Sequence, residues 1–582
     1  MSAPPTKSET ASSGSTRESY ESESFLPRLV KAHGWRYVLL IVCVYGINQG
    51  AGEGLLFFAE QYWLTDPSPD NSPANYTGPL GLGLSPSRYA EIGAVTNIPW
   101  QIKALYGVAS DAIPIFGLHK TPYMILASIA GVLSSLLLWT SPIAWTVPGS
   151  AMLLLLANLA IASPDVMIDG SIAERSSEVP MYAADLQSLC WMSFGIFQIL
   201  SMLVAPRMLE TLGTRSLFGA ATFTALAVTI PTSLGWMGEK RDIPVVESEA
   251  VYGSCFRRVK RFMDDPGAGP FVRLAMMVTG ISLTMGIISM KNGTHHAFIS
   301  GFAMFVVTPL TAFLVYRYES MVDRDLAKFS LYIFLTGAIQ PSTPVLFYWM
   351  KQDEYNCSKN LPCFSPSFIA TLSIVGQVMF VIGTWVYNRF LTRISYKSIY
   401  MTTQFAMFLL NIVDLFWVNR LNIAIGLSDE AFVLGDEVIA PMISRWNTMP
   451  MMVLSAVLCP PNVFATFFAL NMGLSNFGGT LGGYFGVGLM VIFGVDTHKY
   501  DRLPEFVVAR SLFRLLPMCL IPFLLPNGSP SDPPTRQWSA VPSNDVDDED
   551  VTEAPPPIPR TYTVVPAQDV VAANEMVSLT TA

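Results

Sequence analysis

Charge is what this 582-residue chain has least of: 14% of its residues are Asp, Glu, Lys or Arg, against 51% hydrophobic. A soluble domain carries about a quarter charged residues, so a soluble globular protein is excluded. Seven cysteines and five histidines are few and scattered. The adjacent pair His295-His296 has no further ligands beside it and makes a poor metal site. A phosphate-binding loop is also missing. The glycines of "GGTLGGYFGVG" (Gly478 to Gly488) follow no strand and precede no Lys-Ser/Thr; they suit close packing of membrane helices. With no nucleophile–base constellation either, we assign no catalytic residue, no metal and no cofactor. An enzyme is not expected.

Long apolar runs are what the chain has instead. Runs of roughly 20 residues, enough to cross a bilayer as helices, recur from Arg36 to Leu525. Hydropathy places spans near 36–63, 88–108, 122–141, 148–168, 186–210, 214–236, 271–290 and 297–317. Further spans lie near 329–350, 366–390, 398–419, 431–457, 463–494 and 504–525, about fourteen in all. An even count puts both tails on one side. Lys and Arg crowd the loops of that side, including Arg28, Lys31, Lys120, Arg257, Arg258, Arg317 and Lys328, which makes it cytoplasmic. The opening stretch "MSAPPTKSETASSGSTRESYESESF" is polar and has no signal-peptide core. From Pro526 onward the chain is Pro-rich and acidic ("DVDDEDVTE", Asp545 to Glu553), a composition that reads as disordered. The net charge of −9 owes much to that run. "RRVKR" (Arg257 to Arg261) suits anionic lipid headgroups better than nucleic acid.

Two sequons, Asn75-Tyr76-Thr77 and Asn356-Cys357-Ser358, fall in loops this topology puts outside, so Asn75 and Asn356 are expected to carry glycans. Cys357 and Cys363 share the second of those loops and are close enough to pair in an oxidising compartment. These features place the chain in the plasma membrane with both termini cytoplasmic.

An internal repeat organises the spans. "GINQGAGEGLLFFAEQYW" from Gly46 parallels "GAIQPSTPVLFYWMKQDE" from Gly337, with Gln49 opposite Gln340. Each is followed by a turn-rich loop and a Ser-Pro-Ser, at Ser85 and at Ser365. Ser as N-cap and Pro at the first helical position open the next helix. Two parallel six-helix repeats form the all-α, polytopic major-facilitator pattern, whose halves enclose a midplane site. The pair at 271–317 is then an inserted hairpin. The division is a tail (1–35), a six-helix half (36–236), a basic loop (237–270), hairpin and loop (271–328), a second half (329–525) and a tail (526–582).

Several motifs resemble one family. "SPSRYAEIGAVTNIPWQIKALYGVASDAIPIFGLHKTPY" (Ser85 to Tyr123) resembles the second helix and following loop of the folate–biopterin transporters. "IASPDVMIDGSIAERSSEVP" from Ile161 resembles their fourth helix end, at Ser163, Asp165, Asp169, Glu174 and Arg175. "AADLQSLCW", "LSDEAFVLGDEV" and "MPMMVLSAVLCPPNVFATFFALNMGLSNFGG" are similar to further segments in the same order. The resemblance implies a major-facilitator fold and transport of pterins or folates by symport with protons. The hairpin looks like that of longer protozoan-type members. Another organic solute such as S-adenosylmethionine, or a non-transporting sensor on this fold, is the alternative.

The charged positions within the spans then become candidates, since lipid penalises each of them. Asp165 and Asp169, four apart, share one helix face. Two neighbouring carboxylates disfavour joint ionisation, so the pair reads as a proton-responsive gate. Equally, either one could latch to Arg175 or Lys120. Asp111 resembles the acidic member of the loop motif general in major-facilitator proteins, and Asp436 matches the "GD" of the family signature. With Glu174 and Arg175 these form the gating set. Gln49, Glu53, Gln340 and Arg445 form the expected substrate-binding set. Arg445 lies mid-helix and could fork onto a carboxylate or take an internal partner such as Glu53 or Asp436. Lys103 reads as snorkelling, Glu60 as solvated, and Trp100 and Trp191 as interfacial.

Overall fold

The computed structural model describes residues 24–70, 78–178, 183–241, 259–260, 263–291, 295–458 and 464–530. These belong to one unit, Met1–Arg536; a second, Gln537–Ala582, lies outside them. Asn75, most of the polybasic cluster and both distal tails also lie outside the described residues.

Among the described residues there is no strand, only isolated bridges, and helices follow one another throughout. A short surface helix α1 (Phe25–His33) precedes α2 (Trp35–Thr65). The second span is three pieces, α3 (Pro86–Thr96), α4 (Ile98–Gln101) and α5 (Lys103–Ala112). The first half is completed by α6 (Thr121–Thr140), α7 (Val147–Glu178), α8 (Ala183–Leu212) and α9 (Arg215–Ser233). The hairpin is α10 (Gly269–Lys291) and α11 (His296–Glu319). The second half runs through α12 (Arg324–Ala338), α13 (Val345–Met350), α14 (Pro366–Leu391) and α15 (Tyr396–Val418). It ends with α16 (Asp429–Leu458), α17 (Phe464–Phe493) and α18 (Leu503–Leu524).

Eleven of these helices are long and apolar enough to cross a membrane. The other three expected spans fall short for physical reasons. One is broken at Asn97 and Ile102, and one unwinds over 339–344, where Pro341 and Pro344 remove backbone donors. The third, α16, is unbroken but carries Asp436, Glu437 and Arg445. Each departure marks a place where polar groups or free backbone sit among the helices.

The repeat is visible in the caps. Ser85 Oγ accepts from Arg88 N at 3.4 Å and Ser365 Oγ from Phe368 N at 3.2 Å, each one residue ahead of a helix that starts with proline. Close packing at the glycines is also present. The unwound 339–344 segment lies directly on α17: Ser342 N donates to Gly482 O at 3.0 Å. A Cβ at Gly482 would meet the carbonyl oxygens of Gln340 and Gly337 at 2.5 Å, so only glycine permits this approach. The two halves meet where α8 lies along α14 and where α3–α5 lie along α17. The hairpin packs against α3–α5, α12 and α17.

Candidate functional site

Three helices of the first half converge on one buried polar cluster. In α2 the backbone widens to π-helical turns over Val42–Glu53, which carries Tyr45, Gln49 and Glu53. Such bulges cluster at functional sites. From α7, Asp165 and Asp169 point the same way, one turn apart. Asp165 Oδ2 accepts from Lys103 Nζ at 2.6 Å, and Asp169 accepts from the Tyr45 hydroxyl. Glu53 lies within electrostatic reach of both Asp165 and Lys103. The cluster thus sets three carboxylates against one ammonium. Gln49 is 8% exposed, and its Oε1 has no partner among the described residues.

The second half contributes Arg445 from α16, 3% exposed. Its Nε donates to Thr384 Oγ1 at 2.9 Å. Its guanidinium lies 4.3 Å from the Phe380 ring centre and 5.1 Å from that of Trp191. Trp191 comes from α8 of the first half and in turn meets Tyr45, centroid to centroid, at 6.2 Å. A continuous line of contacts therefore joins Asp169, Tyr45, Trp191 and Arg445 across the two halves. No carboxylate among the described residues lies within ion-pair distance of Arg445. Two residues further along α16, Asn447 ends an amide chain that runs from Gln340 Nε2 to Gln404 Oε1 (2.9 Å) and from Gln404 Nε2 to Asn447 Oδ1 (3.2 Å). The four expected substrate residues thus fall in three places: Gln49 and Glu53 on α2, Gln340 in the amide chain, and Arg445 between the rings.

Against known families, residues 80–537 match the BT1 family. The chain belongs to the BT1 family. Probable folate-biopterin transporter 2 of Arabidopsis thaliana is 27% identical over 503 residues, 85% of this chain and 83% of that one. The folate-biopterin transporter of Synechocystis sp. is 26% identical over 455 residues, 77% and 76% of the two chains. Among solved structures, an auto-inhibited POT family peptide transporter superposes with a TM-score of 0.57 at 13% identity, covering 86% of this chain and 99% of its own. A POT peptide transporter in complex with sulfate gives 0.56 at 14%, covering 84% and 94%. At such identity the likeness is to the fold, which is of the major-facilitator type. This BT1-family chain is a multi-pass membrane transporter, not an enzyme.

Several sequence expectations for this BT1 protein need correction. Neither Asp165 nor Asp169 pairs with Arg175 or Lys120: Lys120 pairs with Glu174. Arg175 donates to Met237 O at 2.9 Å and lies 3.7 Å over the Tyr37 ring. Lys103 does not snorkel. The break at Ile102 turns it inward onto Asp165, 4.7 Å from the Trp100 ring centre. Trp100 and Trp191 are internal, Trp100 donating to Asn158 Oδ1 at 2.9 Å. Glu60 is buried and accepts from Thr96 Oγ1 at 2.9 Å. Asp436 is not Arg445's partner. It lies within reach of Asp414, Arg510 and Arg514, where Arg510 Nη2 meets Asp414 Oδ2 at 2.8 Å. That second buried charge group was missed because its arginines sit in an otherwise apolar span.

The gating set divides the same way: Asp165 and Asp169 are central, whereas Asp111, Glu174 and Arg175 sit at the end of the bundle near α1. There Glu239, beyond α9, accepts from the backbone N–H groups of His119 (2.6 Å), Lys120 (2.9 Å) and Thr121 (2.9 Å). Burial alone would raise the Glu239 pKa, but these donors outweigh it and hold the carboxyl below its ordinary value. The loop before α6 is thereby tied to the segment after α9 at neutral pH.

The opposite end is closed by a buried lock between halves. Lys351 Nζ reaches Asp66 Oδ1 (3.1 Å), Thr65 Oγ1 (2.9 Å) and Thr65 O (3.1 Å), and Tyr348 Oη donates to Leu84 O at 2.6 Å. Removing one partner leaves a buried charge uncompensated. A Gln340→Cys thiol is therefore expected to be labelled by an impermeant reagent from this end several-fold faster in a Lys351→Met background; equal rates would show that the pair does not hold the end shut. The disulfide Cys357–Cys363 lies at this end. Asn356 beside it is fully buried, its Nδ2 donating to Tyr348 O (2.8 Å) and Lys351 O (3.0 Å). That amide is not presented for glycosylation, so this sequon is corrected to a structural asparagine.

Proposed function

We propose that this protein is a secondary transporter of folate- or biopterin-type pteridines, moving them by alternating access in symport with protons. The observation that carries the reading is Arg445. A guanidinium buried between two aromatic rings, with no carboxylate of its own among the described residues, is a costly arrangement that an anionic, planar ligand relieves. A substrate carboxylate would take the guanidinium fork, and a pteridine ring would stack at Trp191. The donor–acceptor edge of that ring suits the amide chain of Gln340, Gln404 and Asn447, with Gln49 supplying a further amide from α2. The names of its relatives, folate-biopterin transporters, point to the same solutes.

Proton coupling is assigned to the cluster of Glu53, Asp165 and Asp169 around Lys103. Three carboxylates against one ammonium leave negative charge that a proton can balance. Tyr45 and Trp191 connect that balance to Arg445, so proton and anion would be felt across a single line of contacts. Asp111, Glu174 and Arg175 would govern the end near α1, and Asp436 would act within its own arginine group. We further place both termini in the cytosol and the protein in the plasma membrane, following the distribution of Lys and Arg.

The test is uptake of labelled folate, biopterin and S-adenosylmethionine by cells expressing the chain, at about pH 5.5 and about pH 7.5, either side of the usual histidine value. Faster uptake of folate or biopterin at the lower pH is expected, reduced by Asp169→Asn. No uptake of either, in protein present at the surface, would overturn the substrate; uptake independent of pH would overturn the coupling.

A further inference from the structure

Outside the central site, the inserted hairpin carries a carboxyl that neither the transport reading nor the hydropathy pattern uses. Glu319 closes α11 and is completely buried. Both of its carboxyl oxygens are without a hydrogen-bond partner among the described residues. The Ser330 hydroxyl of α12 neighbours it and is directed to Asn471 Oδ1 of α17 at 2.8 Å. Asn471 Nδ2 is itself buried without an acceptor among the described residues. Three polar side chains from three helices therefore meet in a seam whose helices share one apolar cluster, with Phe271, Val315, Leu326, Phe467 and Leu470 among its members.

The surrounding charges do not neutralise Glu319. On α10, Arg273 donates to Met263 O at 2.6 Å. On α12, Arg324 is exposed and Lys328 pairs with Asp325 at 3.4 Å in the same exposed turn. Asp323 caps α12 through Asp325 N and Leu326 N. Arg317 of α11 is exposed. Tyr332 of α12 is buried with its hydroxyl unpartnered among the described residues, and α17 carries no charged residue. An ionised carboxylate left alone in such a setting costs far more than a neutral one. We propose that Glu319 is a proton-binding site in the seam between the hairpin and the second half, and that its occupancy keeps the hairpin seated on α12 and α17. The exposed turn at Arg324 and Asp325 gives the proton a short route to water. Loss of the proton would charge the seam and draw in water, loosening α11 from α12.

The inference stands on the hairpin alone and does not require the substrate proposed above. Infrared difference spectra of the full-length protein in detergent, wild type minus Glu319→Gln, test it directly. A protonated-carboxyl stretching band is expected in the difference at about pH 6, with loss of that band at high pH. The wild type is also expected to lose thermal stability relative to Glu319→Gln as pH rises. No difference band between about pH 5 and pH 9 would overturn the site. Glu319→Met serves as a second neutral isostere. If neither variant yields folded protein, the negative charge itself is required, and the proposal fails.

Discussion

Replacing Arg445 with alanine is expected to reduce uptake of an anionic pteridine by about 10- to 100-fold, the equivalent of one charge-assisted hydrogen-bonded contact. The loss should fall on substrate affinity and leave the fold intact. Arg445 holds no carboxylate among the described residues, so its removal strands no opposite charge; what goes is one hydrogen bond to Thr384 and contact with Phe380 and Trp191. Arg445→Lys keeps the charge but loses the planar fork and its stacking, and should lie between alanine and wild type. The measurement is concentration-dependent uptake alongside thermal unfolding of the purified variants. An alanine variant that melts many degrees lower, with unchanged affinity in the surviving protein, would make Arg445 a structural residue and sink the anchor. Trp191→Ala offers a companion reading: if the ring stacks on substrate, affinity falls again while Arg445 remains.

The overall architecture was legible because membrane burial leaves a one-dimensional record. Apolar runs set most of the spans, and the repeated Ser-Pro-Ser identified two equivalent helix starts that the caps at Ser85 and Ser365 now display. The pairing of Cys357 with Cys363 and the close approach at Gly482 were readable for similar local reasons. Direction was not. Lys103 stands near the predicted end of a span, where hydropathy cannot tell a side chain that reaches for water from one turned inward by a helix break at Ile102. Trp191 looked like an interfacial tryptophan because its partner, Arg445, lies 254 positions away in the other half. Asn356 matched a sequon whose short pattern says nothing of burial. Glu319 lies two residues past the expected span at 297–317, where hydropathy gives no sign that α12 and α17 bury it. In each case the missing information was which face of a helix another element covers.

The Lys103–Asp165 pair supplies the second large effect. Both groups are buried, 9% and 3% exposed, and the shared hydrogen bond is 2.6 Å long. Lys103→Met removes the one ammonium in a cluster that also holds Glu53 and Asp169, leaving Asp165 with like charges around it. Breaking a buried pair from one side costs about 3–5 kcal/mol. Asp165→Leu alone strands Lys103, though Glu53 and Asp169 remain to compensate it, so its cost should be smaller. The asymmetry is the informative part, because only the loss of Lys103 leaves like charges facing one another. Lys103→Met with Asp165→Leu takes out both charges and should recover most of the lost stability, since apolar replacements of buried pairs are often neutral. Unfolding of the single and double variants in detergent completes the cycle. Additive losses would mean that the two side chains do not act as a pair. If the double variant is stable but no longer shows pH-dependent uptake, the pair belongs to coupling; if its uptake responds to pH as before, the proton resides on Glu53 or Asp169 and the pair serves only to hold α5 against α7.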